Sequence, residues 1–146
     1  MRGGGRDGRA PLRWALSGLY GIIGLVHLVA TERFLPIMPS WVPAPLLVVI
    51  LTGLCEIAGA VALFLPPLRR AAGLAFALYA ICVVPANLKQ AFEHIDMPPI
   101  PDSWWYHGPR LLLQPVLVWI ALYAVHLIDW PLRRRRGERD DPSRSG

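Results

Sequence analysis

Four long apolar blocks limit what this chain can fold into. They cover residues 14–30, 46–65, 71–88 and 111–128, and hold 17, 20, 18 and 18 residues. Together they contain one acidic residue and no basic residue. A helix that crosses the hydrocarbon core of a bilayer needs about 20 apolar residues, and only helices or closed barrels satisfy their own backbone there. The blocks therefore predict an all-α protein, an integral membrane four-helix bundle.

Two other interpretations of the blocks fit the sequence less well. A soluble helical bundle would need a charged face on each helix, and none of the blocks has one. A cleaved signal peptide would have an apolar core of about 7–15 residues followed by a small-residue cleavage site. The first block is longer than that, and residues 28–31 read LVAT, a poor cleavage site. We therefore expect a retained first helix.

The basic residues are distributed unequally around the blocks. Twelve arginines lie before the first block, between the second and third, or after the fourth, whereas the other connections carry only Arg33, Lys89 and Arg110. Positively charged segments stay cytoplasmic, so we expect both termini in the cytoplasm and the protein in a plasma or inner membrane. The flanking residues 1–13 and 131–146 are basic and lack apolar periodicity, which predicts disordered segments around a membrane domain at 14–130.

Proline and aromatic residues dominate the two outer connections, 31–45 and 89–110. Prolines at this density predict irregular backbone. Tryptophan and tyrosine favour the headgroup region, so both segments are expected to lie on the outer membrane surface as a cap. The histidines and acids of 89–110, His107 among them, match no tight ligand spacing, so we expect solvated polar groups there and no metal.

Polar residues inside the blocks carry the strongest functional indication. A rise of about 1.5 Å per residue places His27, Glu56, Asn87 and Gln114 in the outer half of the membrane. Arg110 shares a helix face with Gln114 through its i, i+4 spacing. A carboxyl group near the midplane costs roughly 3 kcal/mol, so such a group normally faces the bundle and has a partner. We therefore expect the five residues to form one polar layer.

Glu56 has a structural and a functional interpretation. Protonated, or paired with His27 or Arg110, it would hold the helices in register. Alternatively, it would accept a proton or bind a ligand at the base of an outward-facing pocket. His126 is expected near the inner end of the fourth helix. The two cysteines, Cys55 and Cys82, are expected to pack as small apolar residues, with a redox pair left open.

Five short motifs occur in the order and on the helices of a known membrane family. They are His27 with Phe34, MP at 38–39 and VPAP at 42–45; GLCEIAG at 53–59; PPLRR at 66–70; VPAN at 84–87; and RLLLQ at 110–114. Together they resemble the DoxX-like family of small four-helix membrane proteins over residues 19–127. One departure is visible, because the last motif has Leu112 where the family has proline, and Pro115 follows Gln114.

The resemblance implies a four-helix bundle and a link to quinone chemistry, because some members are membrane subunits of quinone-dependent oxidation systems. We therefore expect an accessory subunit of a membrane redox complex, with a quinone or small ligand bound noncovalently in the outer half of the bilayer. The candidate ligand-binding or proton-accepting residues are His27, Glu56, Asn87, Arg110 and Gln114. The sequence has no haem-ligand histidine pair, flavin fingerprint or cysteine cluster, so catalysis is expected only with a partner.

A different function class fits the same sequence. The protein would then be a non-catalytic assembly or interaction protein for a membrane or exported partner, docked through the outer cap. A small carrier is a weaker alternative, because broken helices in repeated halves are missing. Under the first two interpretations we expect a protein partner or a second copy of the chain. Nucleic-acid binding is not expected, because the arginines at 133–136 adjoin a membrane exit and belong to no folded module.

Overall fold

Helices make up most of the part of the chain that the structure describes, residues 8–130 of a computed structural model. The elements in chain order are α1 (Ala10–Val29), α2 (Thr31–Phe34), a 3₁₀ turn (Leu35–Ile37), α3 (Pro45–Ala62), α4 (Arg69–Cys82), α5 (Val84–Phe92) and α6 (Trp104–Ala124). Within residues 8–130 there is no β-strand, and the predicted all-α class is confirmed. The predictions for residues 1–7 and 131–146 lie outside the described residues.

Three helical segments are long and apolar enough to cross a membrane: Ala10–Val29, Pro45–Ala62 and Arg69–Phe92, the last formed by α4 and α5. The prediction of a membrane protein is therefore confirmed, with three candidate spans rather than four. The helix predicted as the fourth span, α6, is present but is not one of these three segments. Its first half contains His107, Arg110 and Gln114, and these polar residues lower its mean hydropathy.

Several helix ends differ from the prediction. The first helix begins at Ala10, within the segment expected to be disordered, because Pro11 suits a first helical turn. Both ends of the predicted loop 89–110 are helical, since α5 continues to Phe92 and α6 begins at Trp104. The last helix ends at Ala124, so His126 follows it, with a φ of 61°, rather than lying inside it.

The connection 31–45 also contains more regular structure than its prolines indicate. A four-residue helix, α2, is followed directly by the 3₁₀ turn Leu35–Ile37. Pro36 lies in the first turn of the 3₁₀ segment and Pro45 begins α3. Proline is tolerated in a first turn because its missing N–H has no intrahelical partner there. The expectation of wholly irregular backbone was therefore wrong for residues 31–37.

Glycines set the closest approach between α1 and α3. A Cβ built on Gly24 would lie 2.7 Å from the carbonyl oxygen of Gly53 and 2.9 Å from the Cβ of Glu56. A Cβ on Gly53 would lie 2.9 Å from both the Gly24 oxygen and the Cβ of His27. The two backbones therefore touch, as small residues permit between membrane helices. We call this contact the glycine seam.

A second close approach joins α4 to the end of α6. A Cβ on Gly73 would clash with both methyl groups of Val125. The core beside it is built mainly from alanine, leucine and aromatic side chains of α1, α3, α4 and α6, and Tyr20 stacks on Phe76 at 4.0 Å between ring centroids. These contacts fix one end of the helix bundle and leave room for a cavity towards the other.

Two arginines join the start of α1 to the end of α6. Arg13 is 6% exposed and donates to the carbonyl of Ala124 at 3.2 Å, while Arg9 donates to Tyr123 O at 2.7 Å. Arg9 also pairs with Asp129 at 2.6 Å. Cations at a helix C-terminus are stabilised by its partial negative charge and unpaired carbonyls. The N-terminus of α1 and the C-terminus of α6 therefore lie at the same end of the bundle.

Candidate functional site

A cavity of about 950 Å³ lies among α1, α3, α4, α5 and α6. All five residues that the sequence analysis selected line it: His27, Glu56, Asn87, Arg110 and Gln114. The rest of the wall is mostly apolar or aromatic, and includes Leu19, Ile23, Phe34, Ile37, Val48, Val83 and Leu117. Ligand sites commonly combine such an apolar wall with a few convergent polar groups.

His27 and Glu56 form a buried pair next to the glycine seam. The Nδ1 atom of His27 lies 2.7 Å from Oε2 of Glu56, and the two residues are 9% and 1% exposed. Each lies beside the glycine of the opposite helix, so the close backbone approach brings the side chains together. Phe34 covers the imidazole with its ring centroid 4.2 Å away. Of the two partners considered for Glu56, the structure selects His27.

Arg110 bridges α6 to α5. Its two terminal nitrogens donate to the side-chain oxygens of Asn87 and Gln90, each at 2.5 Å. Asn87 is 5% exposed and Gln90 1%, so both acceptors depend on the guanidinium for a donor. The planar guanidinium carries several donors in fixed directions, which suits two acceptors one helical turn apart.

Replacing Arg110 by methionine is expected to lower the free energy of unfolding by about 2 kcal/mol, because it leaves two buried acceptors without a donor. Detergent-titrated unfolding followed by circular dichroism measures this. Arg33→Met is the matched control, since Arg33 is exposed and, within residues 8–130, donates only to the carbonyl of Pro98. Equal stability of the two variants would contradict the bridging role of Arg110.

The connection between α1 and α3 covers one side of the cavity. Ile37, Met38 and Trp41 line it from this segment, and Ile37 is 4% exposed. Lys89 of α5 holds the segment in place, because its Nζ donates to the carbonyls of Pro36 and Met38, each at 2.8 Å. These two carbonyls accept no hydrogen bond within a helix, and a backbone carbonyl in apolar surroundings needs a donor. Lys89 supplies it.

Sequence analysis missed three buried polar residues, Tyr20, Gln90 and His107, and the partly buried Tyr79. Gln90 was placed in a loop because the third span was expected to end at residue 88 and the loop to begin at Lys89. Its i, i+3 spacing from Asn87 is the signal for a shared helix face. The N-cap Ser103, whose side chain accepts from the backbone N–H of Trp105, signals the start of α6.

His107 corrects an explicit expectation. It was interpreted as a solvated loop residue, but it lies in α6 and is 1% exposed. Its Nε2 lies 3.3 Å from Asp102, which also contacts the exposed His94 at 3.2 Å. No group of three metal-ligating side chains occurs between residues 8 and 130. Cys55 and Cys82 are free thiols exposed on the helix surfaces.

The fold and the cavity define a class: an all-helical membrane protein with a mainly apolar internal cavity and a buried polar layer. Residues 16–125 match the family described as a domain of unknown function, DUF8561, and the chain belongs to that family. No curated protein and no solved structure matches the chain. The family region runs from α1 to just beyond the end of α6, so every residue that lines the cavity lies within it.

Proposed function

We propose that this chain is a DoxX-like accessory subunit of a membrane redox complex, and that its cavity holds a quinone. The observation that carries the proposal is the convergence of His27, Glu56, Asn87, Arg110 and Gln114 on one apolar cavity. A quinone is a flat apolar ring with two oxygens and an apolar tail. Such a ligand fits an apolar slot with a few polar groups.

The proposed membrane arrangement has four spans, with α6 as the fourth. Leu112, Leu113 and Val116 of α6 are 75%, 47% and 43% exposed, which suits contact with lipid. The start of α1 and the end of α6 lie together through Arg9 and Arg13. Because arginine-rich segments remain cytoplasmic, this end is assigned to the cytoplasm and the cavity to the outer half of the bilayer.

Glu56 supplies the proton chemistry in this proposal. It is 1% exposed, paired with His27, and borders the cavity. A buried carboxylate–imidazole pair can share or accept a proton without placing a new unpaired charge in apolar surroundings. The electrons of a quinone reaction would pass to or from a redox centre of the partner protein, so this chain's role is to bind and orient the ring.

The proposal predicts that quinone copurifies with the protein in a Glu56-dependent way. The full chain, tagged at its C-terminus, is purified from its own membranes in mild detergent, and bound quinone and proteins are identified together. We expect quinone enriched relative to phospholipid, and about tenfold less in Glu56→Gln, because the neutral amide weakens the hydrogen bond to His27 that positions this wall of the cavity, and a bond to a charged group contributes about 1.5–3 kcal/mol.

Glu93→Gln is the control, since it makes the same chemical change at an exposed position outside the cavity. Recovery of an oxidoreductase partner would support the subunit role. Wild-type protein whose quinone content simply follows its phospholipid content would contradict the quinone site.

A second function, assembly or docking of a membrane or exported partner, is favoured by one observation. Large aromatic side chains are exposed at the end of the bundle that carries the connections 31–45 and 89–110: Trp41 is 72% exposed, Phe92 66%, Trp104 50% and Trp105 89%. Tryptophan and phenylalanine are enriched at protein interfaces. Copurification of a single non-redox partner without quinone would favour this function.

A further inference from the structure

The two outer connections close the cavity at the end of the bundle away from Arg9 and Arg13. Lys89 of α5 donates to two carbonyls of the connection 31–45, each at 2.8 Å. Arg33 in the same connection donates to the carbonyl of Pro98, which follows α5, at 2.9 Å. Both connections are therefore tied together over the cavity, and a ligand that entered there would have to displace them.

The side of the bundle between α1 and α6 is more open. Leu19 of α1 and Leu113 of α6 line the cavity, yet they are 38% and 47% exposed. A residue that lines a cavity and is also exposed lies at an opening. One turn further along each helix, Ile23 and Leu117 also line the cavity and are half-buried. These four apolar side chains border one gap between α1 and α6.

The faces of α1 account for this gap. The hydroxyl of Ser17 donates to the carbonyl of Ala60 at 3.0 Å, so Ser17 faces α3. With 3.6 residues per turn, Leu19 is rotated by about 160° from Ser17 and projects away from α3. Arg13 joins α1 to the end of α6 through the carbonyl of Ala124. The two helices are therefore neighbours, joined at the inner end and separated by the gap further out.

We propose that the ligand enters the cavity sideways from the lipid, between α1 and α6, and that its apolar tail stays in this gap while its ring reaches the polar layer. The inference rests on the proposed function and adds the route and the position of the tail. In the proposed membrane arrangement the gap faces lipid, since Ile22 and Leu112 beside it are 67% and 75% exposed. A tail between Leu19 and Leu113 never leaves apolar surroundings, so this route requires no exposure of the tail to water.

Isothermal titration of the full chain in lipid nanodiscs, with empty nanodiscs as the blank, tests the route. The two probes share one benzoquinone ring, and one carries a decyl tail where the other carries a methyl group. We expect the double variant Leu19→Trp/Leu113→Trp to bind the decyl probe about tenfold more weakly than the wild type does, because the indole rings fill the gap that the tail needs. Its affinity for the methyl probe is expected to change less than twofold.

Ile22→Trp/Leu112→Trp is the matched control. It makes the same change on the same two helices, at exposed positions that do not line the cavity. We expect this variant to bind both probes as the wild type does. All four substituted positions are at least 38% exposed, so both double variants are expected to fold, and circular dichroism verifies this.

A double variant at Leu19 and Leu113 that binds the decyl probe as tightly as the wild type, or loses both probes equally, overturns the route and leaves the quinone site standing. Cys82 of α4 also lines the cavity and is exposed. Loss of decyl binding in Cys82→Trp, with the Leu19 and Leu113 variant unaffected, overturns the route by placing it beside α4. Failure of the wild type to bind either probe overturns the proposed function together with the route.

Discussion

Replacing Gly24 by leucine is expected to force α1 away from α3 and to lower the free energy of unfolding by about 3 kcal/mol. A Cβ at position 24 would lie 2.7 Å from the Gly53 carbonyl oxygen and 3.0 Å from Ile57, so the backbones must separate. That separation also stretches the His27–Glu56 contact of 2.7 Å. The variant is therefore expected to lose quinone binding along with stability.

Gly18→Leu is the matched control for this prediction. Gly18 lies on the same helix, and a Cβ there meets no atom within 4 Å. Detergent-titrated unfolding of both variants measures the difference, and we expect Gly18→Leu to change stability by less than about 0.5 kcal/mol. Equal losses for the two variants would contradict a close backbone contact at the glycine seam.

Replacing His27 by leucine is expected to cost about 3 kcal/mol, because it leaves the buried carboxyl group of Glu56 without its imidazole partner. The structure shows no hydrogen bond to Oε1, and the substitution removes the one to Oε2. Replacing both His27 and Glu56 by leucine is expected to recover most of this loss, since two apolar side chains can occupy the site without an unpaired charge.

A double-mutant cycle measures this coupling from the wild type, the two single variants and the double variant. Glu56→Leu alone is expected to cost less than His27→Leu, because a neutral imidazole is easier to bury than a carboxylate. Additive losses in the cycle would contradict a direct interaction between the two side chains. The cycle also separates stability from binding, because the double variant should fold but fail to bind quinone.

The convergence of the five polar residues on one cavity could be predicted because they share a depth and because polar groups inside a membrane face the bundle. In a helix, residue number converts directly into depth, and apolar blocks mark where each span begins. Rotation about the helix axis is not fixed by depth, so the partner of Glu56 stayed open between His27 and Arg110. The glycine seam brings His27, rather than Arg110, next to Glu56. That contact depends on how two backbones pack in space, which residue numbers along the chain do not show.

The missed residues have a different cause. Charged and proline-containing segments were interpreted as loops, so Gln90 and His107 were placed outside the helices. In the structure the helices continue through Lys89 and begin before Pro109, and both residues turn inward. Tyr20 and Tyr79 were not among the residues selected from the sequence, and the three-dimensional structure shows that both line the cavity.

The resemblance to DoxX-like proteins and the implied quinone chemistry remain predictions, as does the fourth span. The match to residues 16–125 places them in a family whose function is unknown. The structure adds the arrangement in which that chemistry would operate: a buried acid–imidazole pair, an arginine bridge and a covering segment held by Lys89. Each of these can be altered separately, which makes the proposals separable by experiment.

The glycine seam has a consequence for how such a site can change over generations. His27 and Glu56 each lie three residues after the glycine of their own helix and face the glycine of the other. The four positions therefore depend on one another. A larger residue at either glycine would separate the acid from the imidazole without replacing either of them. The substitutions that these positions can accept are therefore limited by how closely the two backbones pack as well as by side-chain chemistry.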